Sequence, residues 1–582
     1  MPSQLLVFDD VHQPAAVRRV VDVRIGFCRM TDHAPNPSPH SPAHRTEENP
    51  KTMPTRTRAA LLALVALLTM ATATACTSAV SQQQNSTATA LPPGHKPPQG
   101  GTLRVGVLND LSPKTFLQIG TGSMNGHVVS NVFDTLIRYS RDDLTVQPSL
   151  ATRWQLAPDG RSLALDLRDD VRYHDGRAFT SADVESSLKA YTAGPWTPQF
   201  KRTAAAITGY DTSNPHRVVL TFDHPLSNVF DLLDSAPIID GNTLDGLRAG
   251  KVFNGTGPFR FSSWQPNSDV RLVRNDSYWG PRANLDAIDL NIITDQQALY
   301  TRLRTGQIDL AYGLNNHDQE LATRRYGFNS ITYTGAEQQE YVGINVANPA
   351  LADVRLRKAI AFAIDRERII NDVFRKSGYV VNLPWPKWSP AYDASKNTTY
   401  TRDVNRARQL VAEHGQVAPI TLDYSTQGVD RVVAQIVQSN LKDVGIPVEL
   451  RPNDNTVQSS KLIGGKFDGI WLLQHAFAQF TPSTLAVSAY PFNAAKNSSN
   501  YVNPDYAKAA NAAWNAPDPT SPAALAAYRQ LDDIWLNDLF LVEIGVVFQQ
   551  SAASPAVGNV DWDRRAQLHL GETYLNTQGR NS

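Results

Sequence analysis

Gly255-Thr256-Gly257-Pro258-Phe259 sets two glycines and a proline within four positions, permissive backbone beside one fixed φ, and so marks a hinge or sharp turn where chain segments cross. On either side of it, Val218-Val219-Leu220-Thr221-Phe222 and Val270-Arg271-Leu272-Val273 read as strands. Further back, Leu103, Val105 and Val107 alternate with polar or small neighbours, which predicts a strand over 102–108. Val128, Val129, Val132, Phe133, Leu136 and Ile137 recur at helical spacing, which predicts a helix over 126–140. Residues 355–374, 403–414 and 430–443 carry the same amphipathic period. Thr180 with Asp183 forms a capping-box pattern, and Gly306 and Gly445 close helical segments. The fold class is therefore α/β, and no period of 20 to 50 residues points to a solenoid or propeller.

Residues 1–52, rich in Pro, His, Arg and Asp, lack a sustained apolar period and are expected to be a non-native extension. From Met53 the order changes: Arg56 and Arg58, an apolar run from Ala59 to Leu68, small residues from Ala71 to Ala75, then Cys76. That is the order of an export signal over 53–75, and its apolar run is shorter than the roughly 20 residues that span a bilayer. Residues 76–100 hold Ser, Thr, Gln and Asn, then Pro pairs, a composition suited to a tether. Cys28 and Cys76 are the only cysteines, so the remaining chain has no thiol for a disulfide or a nucleophile and depends on core size for stability. The formal net charge of zero gives no reason to expect nucleic acid as a partner.

Three blocks in order carry a resemblance. The first holds Asn131-Val132-Phe133-Asp134, Gln147-Pro148-Ser149-Leu150-Ala151, Val171-Arg172-Tyr173-His174-Asp175-Gly176 and Thr180-Ser181-Ala182-Asp183-Val184. The second joins Gly255-Thr256-Gly257-Pro258-Phe259 to Asn275-Asp276-Ser277-Tyr278-Trp279-Gly280 and Arg304-Thr305-Gly306-Gln307-Ile308-Asp309. The third joins Tyr341-Val342-Gly343-Ile344-Asn345 to Asp353-Val354-Arg355-Leu356-Arg357-Lys358-Ala359-Ile360 and Ala363-Ile364-Asp365-Arg366-Glu367. Together they resemble the oligopeptide, dipeptide and nickel-binding solute receptors of ATP-driven importers, family 5, over about residues 101 to 550. The resemblance implies a two-lobed periplasmic-binding-protein-like fold, type II in its large cluster C form, with an extra domain in the first lobe. It implies lobe I from 101–138, the added domain 139–254, lobe I again over 255–340, lobe II over 341–540, and a return to lobe I over 541–582. Cys76 after Ala73-Thr74-Ala75 resembles a bacterial lipobox, which would make it the lipidation site on the outer face of the cell membrane. Ala73 stands where that pattern prefers Leu, so secretion with an unmodified Cys76 stays open.

No Gly-x-Ser-x-Gly elbow, His-Glu-x-x-His, Walker loop or nucleotide fingerprint occurs, and the His residues after Cys76 are scattered. No cofactor, metal or catalytic residue is expected. His174-Asp175 reads as part of a structural turn, and Asp365-Arg366-Glu367 as a source of local ion pairs. The resemblance implies capture of a solute (oligopeptide, metal complex, opine or oligosaccharide) by a monomer that hands it to an ABC permease with its ATPases. A ligand-sensing or docking lipoprotein of the same fold is the alternative, with a surface hydrolase last.

In peptide-binding relatives a segment like Trp-x-x-Asp-x-x-Asp-Pro holds the peptide amine. The matching stretch here, anchored on Pro482, reads Gln474-His475-Ala476-Phe477-Ala478-Gln479-Phe480-Thr481, with Ala478 at the carboxylate position. Gln474, His475 and Gln479 offer neutral donors and acceptors there. Trp385 and Trp388, on a Pro-rich loop, are candidate aromatic walls of the cleft. Thr121, Ser123 and Asn125, in the loop before the first helix, are further ligand-binding candidates.

Overall fold

The computed structural model describes residues 96–112, 123–192, 198–477 and 479–576. They belong to one compact unit, Thr77–Ser582. The signal segment, Cys76, most of the tether, Thr121 and Ala478 lie outside the described residues.

The strands are β1 (Thr102–Val107), β2 (Ile137–Tyr139), β3 (Val146–Pro148), β4 (Ala151–Leu156), β5 (Ser162–Leu167), β6 (Ile207–Asn214), β7 (Arg217–Phe222), β8 (Phe259–Gln265), β9 (Asp269–Arg274), β10 (Ala287–Ile292), β11 (Leu310–Tyr312), β12 (Asn329–Ile344), β13 (Gly378–Val380), β14 (Ile420–Ser425), β15 (Val448–Asn453), β16 (Ile470–Ala476) and β17 (Leu541–Ala553). One large sheet runs β15-β14-β16-β12-β17-β11-β1-β10-β9-β8, with β13 paired to β17. β4, β5, β7 and β6 form a separate antiparallel sheet. Within the large sheet β1 lies parallel to β10 and β11, and β14 lies parallel to β15 and β16. The long antiparallel pair β12 and β17 joins these two parallel groups, with its register interrupted between Thr332 and Glu337. An interruption of that kind bends a strand pair where the sheet passes from one half to the other.

Leu103, Val105 and Val107 are buried as their alternation predicts. The opposite face of β1 is covered as well: a Cβ on Gly106 would stand 2.6 Å from both Leu299 and Ile308, so only hydrogen lets the helix Gln296–Arg304 pack so closely. The helices Val404–His414 and Asp430–Asp443 follow their predicted spans, and Thr180 and Asp183 make the predicted capping box.

Two expectations are corrected. The helix predicted over 126–140 ends at Val132, and Ile137–Tyr139 is a strand. The cause is tertiary: the Gly257 N–H donates to Val132 O at 3.0 Å, and Asp134 accepts from Thr256 and Trp279, so the 255–258 segment takes over the helix end. The two glycines are needed there for space, since a Cβ on Gly255 or Gly257 would meet Val132 backbone at 1.9 and 2.7 Å. Neither is among the positive-φ glycines, so close approach rather than turn geometry explains them. The helix predicted over 355–374 is broken into Val354–Ala363, Arg366–Arg368 and a wide turn Ile369–Val373. At the break the Asp365 N–H donates to Asn440 Oδ1 at 2.9 Å. Arg366 is buried and donates to the carbonyls of Ala361, Tyr400 and Glu543, so it makes none of the local ion pairs its sequence neighbours suggest.

Candidate interlobe ligand site

A cavity of about 420 Å³ opens where the two halves of the sheet face each other. Leu108 and Asn109 reach it from the end of β1, and Gly313 to Asn316 from the end of β11. Ser425 ends β14 and Gln427 to Asp430 follow it, Asn455 follows β15, and Leu473, Gln474 and Ala476 end β16. Parallel α/β sheets leave a crevice outside the carboxyl ends of their strands; here two such crevices meet as one.

Asp430, at the start of the helix Asp430–Asp443, is the ionisable side chain among the described lining. Burial raises its pKa to about 7. Behind it Glu340 on β12 is fully buried opposite Gln474, and neither carboxylate oxygen has a hydrogen-bond partner of normal geometry. Burial, then the nearby Asp430, drives the Glu340 pKa well up. Burial likewise raises Glu543 on β17 to about 8, against the pull of Arg366. The fold therefore favours the protonated form of Glu543. That stability is complete below the usual carboxylate pKa and is lost as pH rises towards 8. Glu543→Gln is expected to leave stability unchanged at pH 4.5 and to raise it by about 2 kcal/mol at pH 8.5, read by urea denaturation. An equal effect at both pH values would rule this out.

Gln474 lines the cavity, whereas its neighbour His475 points to the other face of β16, against Phe477 and Phe492. There burial lowers the His475 pKa to about 4 and keeps the ring neutral. Gln479 is buried and exchanges hydrogen bonds of 3.2 Å with the Thr203 hydroxyl, so its amide is engaged across the chain. Asn125 holds the loop after β1, accepting from Ser112 N at 2.9 Å and donating to Ser112 O at 3.1 Å. Ser123 caps the helix Met124–Val132. Trp385 is buried against Tyr528 and Trp535 and donates to Asp532 at 2.7 Å, which makes it a core side chain. Trp388 donates to Glu337 at 2.5 Å, packs edge-on against Phe477 and Phe480, and carries the Arg564 guanidinium over its ring. His174 Nε2–H donates to Gly257 O at 3.0 Å and so ties its own turn to the 255–258 segment.

Asp231, which the sequence does not mark, ties the helix Val229–Ser235 to the 480–481 segment and to Tyr139. Its carboxylate accepts from Phe480 N at 3.0 Å, Thr481 N at 2.7 Å and Tyr139 Oη at 3.0 Å. Nothing local marks it, since its partners lie 92, 249 and 250 residues away. Glu340 did carry a signal: a carboxylate directly before the apolar run Tyr341-Val342-Gly343-Ile344. Among the described residues no group of three or more His, Cys, Asp or Glu is placed to hold a metal ion.

Two lobes joined by a long strand pair, with a cavity between the carboxyl ends of their parallel strands, define a binding protein of the periplasmic type. The chain belongs to the bacterial extracellular solute-binding proteins, family 5, whose family model, described as the middle region, matches residues 145–512. It is 25% identical over 421 residues to the oligopeptide-binding protein AppA of Bacillus subtilis, an alignment covering 68% of this chain and 76% of that protein. Its fold matches the periplasmic binding protein DppA of Helicobacter pylori in complex with the peptide STSA, at TM-score 0.71 and 20% identity, covering 82% of this chain and 99% of that one. It matches equally well the binding protein AgaA of A. tumefaciens R10 in complex with agropinic acid, at TM-score 0.71 and 21% identity, again over 82% and 99%. Membership makes the chain an extracytoplasmic solute-binding protein of the ABC-importer class.

Proposed function

We propose that the protein captures a polar solute of the oligopeptide, metal-complex, opine or oligosaccharide class between its lobes and passes it to an ABC permease. The observation that supports this reading most is the convergence of strand ends from both halves on one cavity. The lobes are assigned as lobe I over 101–138 and 255–340, its added domain over 139–254, lobe II over 341–540 and the return over 541–582. The protein works as a monomer, binds without turnover, and draws on a separate ATPase for energy. Closing two lobes around a solute buries polar contacts away from water and raises affinity. Small-angle scattering is expected to show a smaller radius of gyration at saturating solute, and an unchanged radius would count against capture by closure. Cys76 is the lipid anchor in this reading, and palmitate labelling in the host is expected to vanish in Cys76→Ser. Persistent labelling would remove Cys76 from that role.

A further inference from the structure

We propose that the interlobe cavity is a subsite for an uncharged, hydroxyl-rich part of the solute, a carbohydrate, and that it rejects a carboxylate. This rests on the reading of the cleft as the place of capture. The described lining holds no Lys, Arg or His, and its ionisable group is Asp430. A solute carboxylate seated there would find no counter-ion in the described lining and would meet a like charge whenever Asp430 is ionised, an unfavourable arrangement for a buried anion.

The neutral groups point the same way. Asn109 from the first lobe, Gln338 from the joining strand β12, and Gln427 and Asn455 from the second lobe all face the cavity. Each amide brings both a donor and an acceptor, and the four approach from three sides of the space. A sugar ring presents hydroxyls that likewise donate and accept, on several neighbouring carbons. A carboxylate such as Asp430 accepts from two adjacent hydroxyls at once. Phe548, half-buried on β17 at the cavity wall, adds an apolar face against which the C–H face of a sugar can lie. The volume of about 420 Å³ lies within the range of small-solute pockets, about 300–1,000 Å³.

The test titrates the chain, followed by calorimetry and small-angle scattering, with a panel of neutral oligosaccharides, their uronate counterparts, peptides and metal chelates. A neutral oligosaccharide is expected to bind at least about 100-fold more tightly than its uronate counterpart. Gln338→Ala and Gln427→Ala should each weaken it about tenfold without a change in melting temperature, and Asp430→Asn should narrow the gap between neutral and uronate ligands. Equal binding of the uronate, or neutral binding untouched by Gln338→Ala, overturns the proposal. Compaction with peptides or metal chelates while no neutral oligosaccharide binds also overturns it and leaves the capture reading standing. No compaction with any class of solute sinks both.

Discussion

Arg366→Met is expected to destabilise the protein by about 3–5 kcal/mol, the scale for leaving several buried carbonyls without their charged donor. Arg366 is 4% exposed. Its Nε donates to Glu543 O at 2.7 Å, and one terminal nitrogen donates to Ala361 O at 2.8 Å and Tyr400 O at 2.9 Å. Burial lowers its pKa to about 10, so it stays charged at neutral pH. Its removal would leave three carbonyls short of a charged donor and raise Glu543 further by withdrawing a nearby cation. Arg366→Lys should recover little, because a single ammonium cannot span the directions that the planar guanidinium reaches. Arg368 is the control on the same short helix: exposed and 3.6 Å from Asp372, it should cost less than about 0.5 kcal/mol when replaced by Met. Urea denaturation measures all three, and a loss under about 1 kcal/mol for Arg366→Met would show that the network is not what holds the broken helix to β17.

Ala478→Asp is expected to create amine-dependent peptide binding two to three decades tighter than that of the natural chain. The resemblance of this stretch to peptide-binding proteins implies a carboxylate at this position that pairs with the peptide amine. Ala478 supplies neither charge nor hydrogen bond, and an unpaired buried ammonium costs about 3–5 kcal/mol. That is two to three decades or more in affinity. Ala478 itself lies outside the described residues; its flanking residues Phe477 and Gln479 are buried, and Phe480 packs on Trp388. Calorimetry with di- to pentapeptides, free and N-acetylated, reads the effect. Submicromolar binding by the natural chain that depends on the free amine would contradict the prediction, and no gain in Ala478→Asp would detach this loop from the site.

The α/β class, the strands around Val105, Val219 and Val270 and the helices 404–414 and 430–443 were all legible in the sequence, because periodic burial of apolar side chains is a local pattern written at fixed spacing. The ordered blocks were legible too, and they led to the family. Helix ends were legible only where the cap is local, as at Thr180 and Asp183. At Val132 the helix stops because Gly257, 125 residues further on, claims its last carbonyl, and no local reading contains that partner. The same limit governed the site. Gln474 could be nominated from its position in the chain, and it does line the cavity, but its neighbour His475 is turned to the opposite face by the two-residue period of the strand. Trp385 looked like an aromatic wall and is core, because a helix brings Asp532 to its indole N–H. Asp231, Glu340 and Asp430 came from three separate stretches. Whether a carboxylate is a surface charge, a clasp or a buried acid depends on what surrounds it, and only the tertiary structure sets that dielectric and those partners.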